Sequence, residues 1–578
     1  MAKIFPENKN ELPASIAGGT FVYFENRKTH DMKKSLLFVV AAVFLIAVNV
    51  KAQNNILGGG QVHGSFQLDG QYYQEDSTIG ATDIPEKYAT NAFLEVRYTN
   101  KNFEAGFRYE LFMPQMQGYD SRWKGNGFGN RYLRYANDHL DVTVGNFYEQ
   151  FGSGMILRSY WEWNLGFDNS FDGVRVKYKM GALSLTGLMA KQRMYWDLGP
   201  GVVRGLDGEL SINDLFKSMN DSKTRFFLGG SFVSRFQADQ DPIFKLPENV
   251  ASYAGRFSVY HGGFNFKIEG AKKINDPNAT NNFIYKEGNA LMAEIGYSRK
   301  GFGFNLQAER TDNMDYRSDR NGTGFDANLG YIPALTRQHA YTLTAMYPYA
   351  SQPNGQMGLQ ATVVYKIKKK TALGGRYGMS FDINYSVSYA IDKHKVNDTT
   401  AIGEKGTLGY ASDFFKLGDE KYYHDFNIKI HKKFSKKWDT YLMYMNTFYN
   451  MAVNEGHAEP NVYADIIVAD VWWKFKPYNS IHLEAQGLFT KQDQGDWYQG
   501  MLEYNRKGFF AALIMMYNAG NDHYDANLYP FGTVGYTHKS TRVSLSYGKQ
   551  REGIVCVGGV CRAVPASSGF KITINSSF

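Results

Sequence analysis

From Gly59 to the carboxyl terminus, apolar and polar residues alternate with a period of two in segments of roughly ten to fifteen residues, and this pattern constrains the fold more than any other feature. Phe103, Ala105, Phe107, Tyr109 and Leu111 share one parity, while Glu104, Arg108 and Glu110 take the other. Just before them, Leu94, Val96 and Tyr98 oppose Glu95 and Arg97, with only residues 100–102 between the two runs. Successive side chains of a strand point to opposite faces, so these residues make a hairpin with one apolar and one charged face. The same grammar returns in Leu140, Val142 and Val144 against Asp141 and Thr143, in Phe264, Phe266 and Ile268 against Asn265, Lys267 and Glu269, and in Ile481, Leu483 and Ala485 against His482, Glu484 and Gln486.

A soluble sandwich needs far fewer strands, and a propeller leaves a fixed-period repeat that this chain does not show. Composition points to a membrane barrel: there are 41 Tyr, 41 Phe and 59 Gly, yet the mean hydropathy is only -0.42. Barrel strands put apolar side chains on the lipid face alone and aromatic rings at both lipid–water boundaries. The expected fold is all-β, a single large antiparallel transmembrane β-barrel with short periplasmic turns and long extracellular loops. Residues 137–139, 261–263, 300–301, 434–437 and 507–508 read as turns, and 75–90, 151–170, 392–418 and 518–528 as loops. Treating 213–222 and 333–338 as further turns keeps the alternation in phase and gives about 26 strands, within a range of roughly 22 to 26.

The final segment sets Phe570, Ile572, Ile574 and the terminal Phe578 against Lys571, Thr573 and Asn575. It resembles the closing strand of Gram-negative outer-membrane β-barrels, in which such an ending is the signal read by the barrel-assembly machinery. The resemblance implies an outer-membrane location, with membrane lipid and that machinery as partners. The stretch from Val144 to Tyr178, with GNFYEQFGSG, LRSYWEWNLG and FDNSFDGVRVKY, resembles the strand, constriction loop and returning strand of porin-like barrels, among them a group of uncharacterised porin-like outer-membrane proteins. In general porins the third extracellular loop narrows the lumen, and 151–170 is the third long loop here. The resemblance therefore implies passive diffusion of small hydrophilic solutes. It brings Glu149, Glu162 and Asp168 near Arg97, Arg108, Arg175 and Lys177, with Arg158 on the loop itself. Opposed charges across a constriction create a transverse field that orients dipolar solutes. The plainer reading is that these groups pair with one another and solvate a wet wall. Trp161 and Trp163 are expected to anchor the loop. Many porins are trimers, which leaves a homo-oligomer open.

Residues 36–48 form the long apolar run, preceded by Lys33 and Lys34 and followed by Lys51 and Ala52. A basic start, an apolar run of this length and a small residue at the break describe a secretory signal peptide, expected over 32–52 with cleavage after Ala52. Residues 1–31 show no periodicity and read as an upstream extension before a start at Met32, leaving 53–578 as the barrel. Removing 1–52 takes 7 of 64 Lys and Arg and 4 of 56 Asp and Glu, which leaves 57 against 52 and a formal charge of +5. Such a mild excess, without a clustered basic stripe, argues against a nucleic-acid partner.

Cys556 and Cys561 bracket a Gly-Gly turn in the last long connector, and an exported compartment is oxidising, so a disulfide clip is expected. The spacing suits neither a zinc site nor a redox Cys-x-x-Cys pair. Asp- and Asn-rich stretches at 312–324 and 521–527 lack the ligand spacing of a calcium loop and read as solvated loops. His424 and His482 read as pore-lining or hydrogen-bonding groups. No catalytic signature is present, so the expectation is a protein without enzymatic activity, metal or cofactor. The competing expectation is a non-conducting barrel that acts as a surface scaffold, adhesin or secretion-associated protein. Its mark is a blocked lumen, and Tyr441, Met443 and Met445 do share the parity of Asp439.

Overall fold

The computed structural model describes residues 59–456, 460–557 and 560–578. The expected signal peptide and upstream extension lie outside these residues. A single 24-stranded antiparallel sheet runs from Gln61–Gln74 to Ser567–Ser577, each strand pairing with the barrel strand before and after it. The sheet closes on itself: the first strand pairs with the last from Ser65↔Ser577 to Gln74↔Ser568, while the other edge of the last strand pairs with Thr541–Gln550. Phe578 completes the seam, because its backbone N–H and C=O exchange two 2.9 Å hydrogen bonds with Gly64. A Cβ on Gly64 would stand 2.3 Å from the Phe578 ring, so glycine is what lets the terminal ring lie on the first strand. Closure leaves the 24-stranded sheet without an open edge, the condition for β-structure in a bilayer. Among the described residues, no helix is long and apolar enough to cross a membrane.

The barrel has 24 strands where the alternation predicts about 26. The difference lies in 313–355, which is one connector between Phe302–Asp312 and Gln356–Ile367, with no turn at 333–338 returning the chain to the short side. Tyr341, Leu343, Tyr347 and Tyr349 look like the apolar face of a strand, yet they are buried against the barrel interior. Alternation reports one buried face, and it does not distinguish a ladder strand from an irregular segment pressed on a wall. The two expected turns at 213–222 and 333–338 therefore fare differently, since 212–223 does join Asp197–Ser211 to Thr224–Phe236 on the short-turn end.

Side chains of one parity are exposed and apolar around the outside, as with Leu133, Met189, Leu206 and Leu228, which suits a lipid-facing surface. The opposite parity lines the lumen, and its character changes along the axis. Near the long-loop end it is apolar and buried, with Leu188, Val203, Val233 and Val250 in one sector and Met443, Met445, Val462 and Ile466 in another. Towards the short-turn end it carries charge, as in Arg256 with Asp207 at 2.8 Å and Lys267 with Glu294 at 3.3 Å.

Candidate functional site

Two long connectors meet this apolar upper wall. Residues 148–170 bury Phe151, Met155, Ile156 and Leu157 against Phe147, Phe171, Leu188, Val203, Val233 and Val250. Each fully buried side chain of that size contributes about 1.5–3 kcal/mol, so the segment is firmly seated. The turn that seats it relies on Gly152, whose φ is +54° and whose Cβ would stand 2.4 Å from Glu269 Oε1. Next to it, the Ser153 backbone N–H donates to Glu269 Oε2 at 2.8 Å, which ties the loop to the wall strand Phe264–Lys273. Trp161–Glu162 and Phe167–Asp168 then form a small hairpin, and the rings of Trp161 and Trp163 lie 5.4 and 6.5 Å from Phe93.

Asp168 lies at the centre of a buried charge cluster with Arg108, Glu110 and Arg193, whose side chains are at most 5% exposed. Arg108 pairs with Asp168 and, at 2.7 Å, with Glu110, while Arg193 reaches Glu110 at 2.7 Å and Asp168 at 2.8 Å. Tyr148 and the Ser170 backbone N–H also donate to Asp168, at 3.0 and 2.9 Å. The Trp161 ring caps the Arg108 guanidinium at 3.9 Å. Two positive and two negative groups thus balance without solvent.

The remaining expected residues fall into separate places. Glu149 pairs with Lys177 at 2.7 Å and with Arg175 at 3.5 Å, and Arg175 also reaches Asp141 at 3.4 Å. Arg158 stacks on Tyr331 at 4.0 Å and on Tyr160 at 4.6 Å, and its backbone N–H donates to Leu329 C=O. Glu162 caps the turn at Asn164 and, among the described residues, forms no ion pair with these arginines. Arg97 lies lower on the wall, 3.5 Å from Glu104. Arg193, Glu110 and Glu269 escape sequence reasoning because each looks like any polar residue on an inward parity, and only closure brings them to the loop.

The larger element is 313–355. Tyr331 N–H donates to Gly154 C=O, so it packs directly on the first connector. Beyond that point three alternate residues reach three aspartates on the wall. Arg337 makes a two-pronged pair with Asp382, 2.6 Å from Nη1 to Oδ1; His339 Nε2 lies 2.7 Å from Asp425; and the Tyr341 hydroxyl donates to Asp470 at 2.9 Å. Asp470 also faces His482 Nε2 at 2.9 Å, and the His482 ring stacks on Trp472. Asp470, His482 and Glu484 hold potential metal-ligand atoms within 4.8 Å of one another. Their hydrogen bonds are taken up by Tyr341, Gln486 and Gln499, which makes the trio part of the loop's attachment. Farther on, Leu343 N–H donates to Gln486 and Tyr347 to Asp493, while Leu343, Met346 and Tyr347 join Met443, Met445, Val462 and Ile466 in one buried cluster.

At the rim, Arg122 bridges Asp120 and Asp326, both at 2.7 Å, linking 113–124 to the same connector. The hydrogen bonds from Arg122 hold the Asp120 carboxyl down at about 2. Cys556 and Cys561 are direct register partners in the hairpin Gly553–Val557 with Val560–Val564.

Solved structures that align with the chain include the siderophore receptor PirA from Pseudomonas aeruginosa, at 10% identity over 90% of this chain and 80% of that one, with a TM-score of 0.38. The translocation pore of the P pilus usher PapC aligns at 9% identity over 89% and 99%, with a TM-score of 0.40. The outer-membrane protein OpdK from Pseudomonas aeruginosa aligns at 9% over 78% and 99%, with a TM-score of 0.33. No curated protein sequence matches the chain. The closed sheet with its apolar exterior is that of a membrane-spanning β-barrel. Over residues 32–578 the sequence matches one protein family, and the chain belongs to it: the family of unknown function DUF6029.

Proposed function

We propose that this protein is an outer-membrane channel for passive diffusion of small hydrophilic solutes, held narrow by 148–170 acting as the third extracellular loop together with 313–355. The observation that carries this reading is the split character of the lumen. Its upper half presents apolar side chains on which the two connectors pack, and its lower half is lined with charged and polar groups suited to water. Planar-bilayer recording of the refolded protein tests it: ion-conducting steps from a folded barrel are expected, and steady silence would overturn the reading. The seam of Met443, Met445, Val462 and Ile466 against Leu343 and Met346 favours a second reading, a permanently filled barrel that serves as a surface scaffold. Silence that persists after the filling segment is loosened would select it.

Export and assembly complete the proposal. The mature chain begins at Gln53, and Cys556 is bonded to Cys561. Intact-mass measurement of protein taken from the outer membrane is expected to match residues 53–578 less two hydrogens, and alkylation without prior reduction is expected to add nothing. Phe570, Ile572, Ile574 and Phe578 serve as the signal to the assembly machinery. Deleting Phe578 also removes both 2.9 Å hydrogen bonds of the seam, so the folded form in outer-membrane fractions is expected to fall several-fold, with Phe578→Tyr close to wild type.

A further inference from the structure

We propose that the short-turn mouth of the barrel carries a binding site for phosphate groups, built from two adjacent lysine-rich turns. No acidic residue occurs over 366–381, a stretch that holds Lys366, Lys368, Lys369, Lys370 and Arg376. None occurs over 426–438, which holds Lys429, His431, Lys432, Lys433, Lys436 and Lys437. These runs are distant in sequence, and the barrel makes them neighbours. Strand Met379–His394 leaves the first turn and pairs with strand Ala411–Lys433, which enters the second, in the register Met379↔Lys432 and Ser380↔His431. Lys432 Nζ crosses to the Leu373 C=O in the first turn.

Between the turns lies a cavity of about 490 Å³ lined by Lys366, Lys369, His431, Lys433, Lys436 and Ser380. It opens towards the lumen. Lys366 shares parity with Gln360 and Thr362, whose side chains bond Asn384 on the inner wall, and His431 and Lys433 share parity with Asp425 and Asn427. Two carboxylates border the group: Asp439 receives His431 and, at 3.8 Å, Lys433, and Asp382, the next inward residue above Ser380, is taken up by Arg337. The His431 ring is further fixed by stacking on Tyr441 at 4.3 Å. Among the described residues, Lys366, Lys369 and Lys436 have no carboxylate partner. Like charges gathered around one cavity raise the local potential, and a multivalent anion relieves that repulsion where chloride does so only in part. Several ammonium donors from different directions suit the oxygens of a phosphate group, with the Ser380 hydroxyl as a neutral donor beside them.

The site stands whether or not the lumen conducts, so its test is a binding measurement. Pyrophosphate titrated calorimetrically into the folded barrel in non-ionic detergent is expected to bind saturably, and to bind more weakly as salt is raised. The variant Lys366→Gln/Lys369→Gln/Lys436→Gln is expected to bind on the order of tenfold more weakly or worse. Its control, Lys217→Gln/Lys223→Gln/Lys539→Gln, removes the same charge from other turns at the same end and is expected to keep wild-type affinity. Equal weakening in both triples, or no saturable binding by the wild type, would overturn the proposal. Repeating the titration in nanodiscs identifies the natural source of the phosphate. Loss of pyrophosphate binding in discs of anionic phospholipid, but not in zwitterionic discs, assigns the site to lipid headgroups, and retention in both assigns it to a soluble phosphate compound.

Discussion

Replacing residues 337–347 with an equal length of glycine and serine is expected to turn the barrel into a wide, steadily open pore, with single-channel steps several-fold larger than those of the intact protein. The replaced stretch contains Arg337, His339 and Tyr341, which are bonded to Asp382, Asp425 and Asp470 on the strands Met379–His394, Ala411–Lys433 and Val462–Lys476. Hydrogen bonds to charged groups contribute about 1.5–3 kcal/mol each. The same stretch contains Leu343, Met346 and Tyr347, which cover Met443, Met445, Val462 and Ile466. Attachments of this number do not fluctuate open together, so a single change such as Asp425→Asn is expected to give brief openings and the full replacement a stable one. The barrel wall contributes none of the replaced residues, and the variant is expected to retain heat-modifiable migration. A folded variant with unchanged conductance would show that 313–355 does not close the lumen.

The contrast between the barrel and its filling shows which physical signals a sequence carries. Strand pairs such as Tyr88–Asn100 with Phe103–Phe112 are legible because lipid outside and polar groups inside impose opposite demands on neighbouring residues. The seam at Phe578 is legible for the same reason, as is the short-side turn at 212–223. An irregular segment inside the lumen has no such fixed period. Tyr341 needs a hydroxyl partner and Leu343 an apolar one, and both lie on strands more than a hundred residues away. Read as strands, those residues inflate the count. The third long loop is legible as a unit because it is a long polar connector between two alternating segments, whereas its charge partners depend on closure: Asp168 meets Arg193, a residue with no distinguishing sequence context.

That cluster yields the second large effect. Arg193→Met is expected to cost about 3–5 kcal/mol, because it strands buried acidic charge on Glu110 and Asp168 that water does not reach. Asp168→Leu is expected to cost a similar amount, leaving Arg108 and Arg193 to share Glu110, with only the half-exposed Glu95 at 3.9 Å from Arg108 besides. The double variant Arg193→Met/Asp168→Leu removes one charge of each sign, so its cost is expected to fall well below the sum of the two, a difference read as a coupling energy in urea unfolding of the vesicle-inserted barrel. Side chains exposed by no more than 5% feel little screening, so the coupling is expected to persist in high salt, unlike that of the rim pair Arg122–Asp120, where both partners are more than a third exposed. Hydrogen exchange gives the location: each single variant is expected to deprotect 148–170, which Asp168 fastens, while the amides of the wall strands stay protected. Additive costs, or deprotection spread evenly around the barrel, would mean that the four charges merely solvate the wall. Strong coupling confined to that loop would mean that they hold it, with the barrel supplying the rigid frame against which a buried charge balance becomes a mechanical joint.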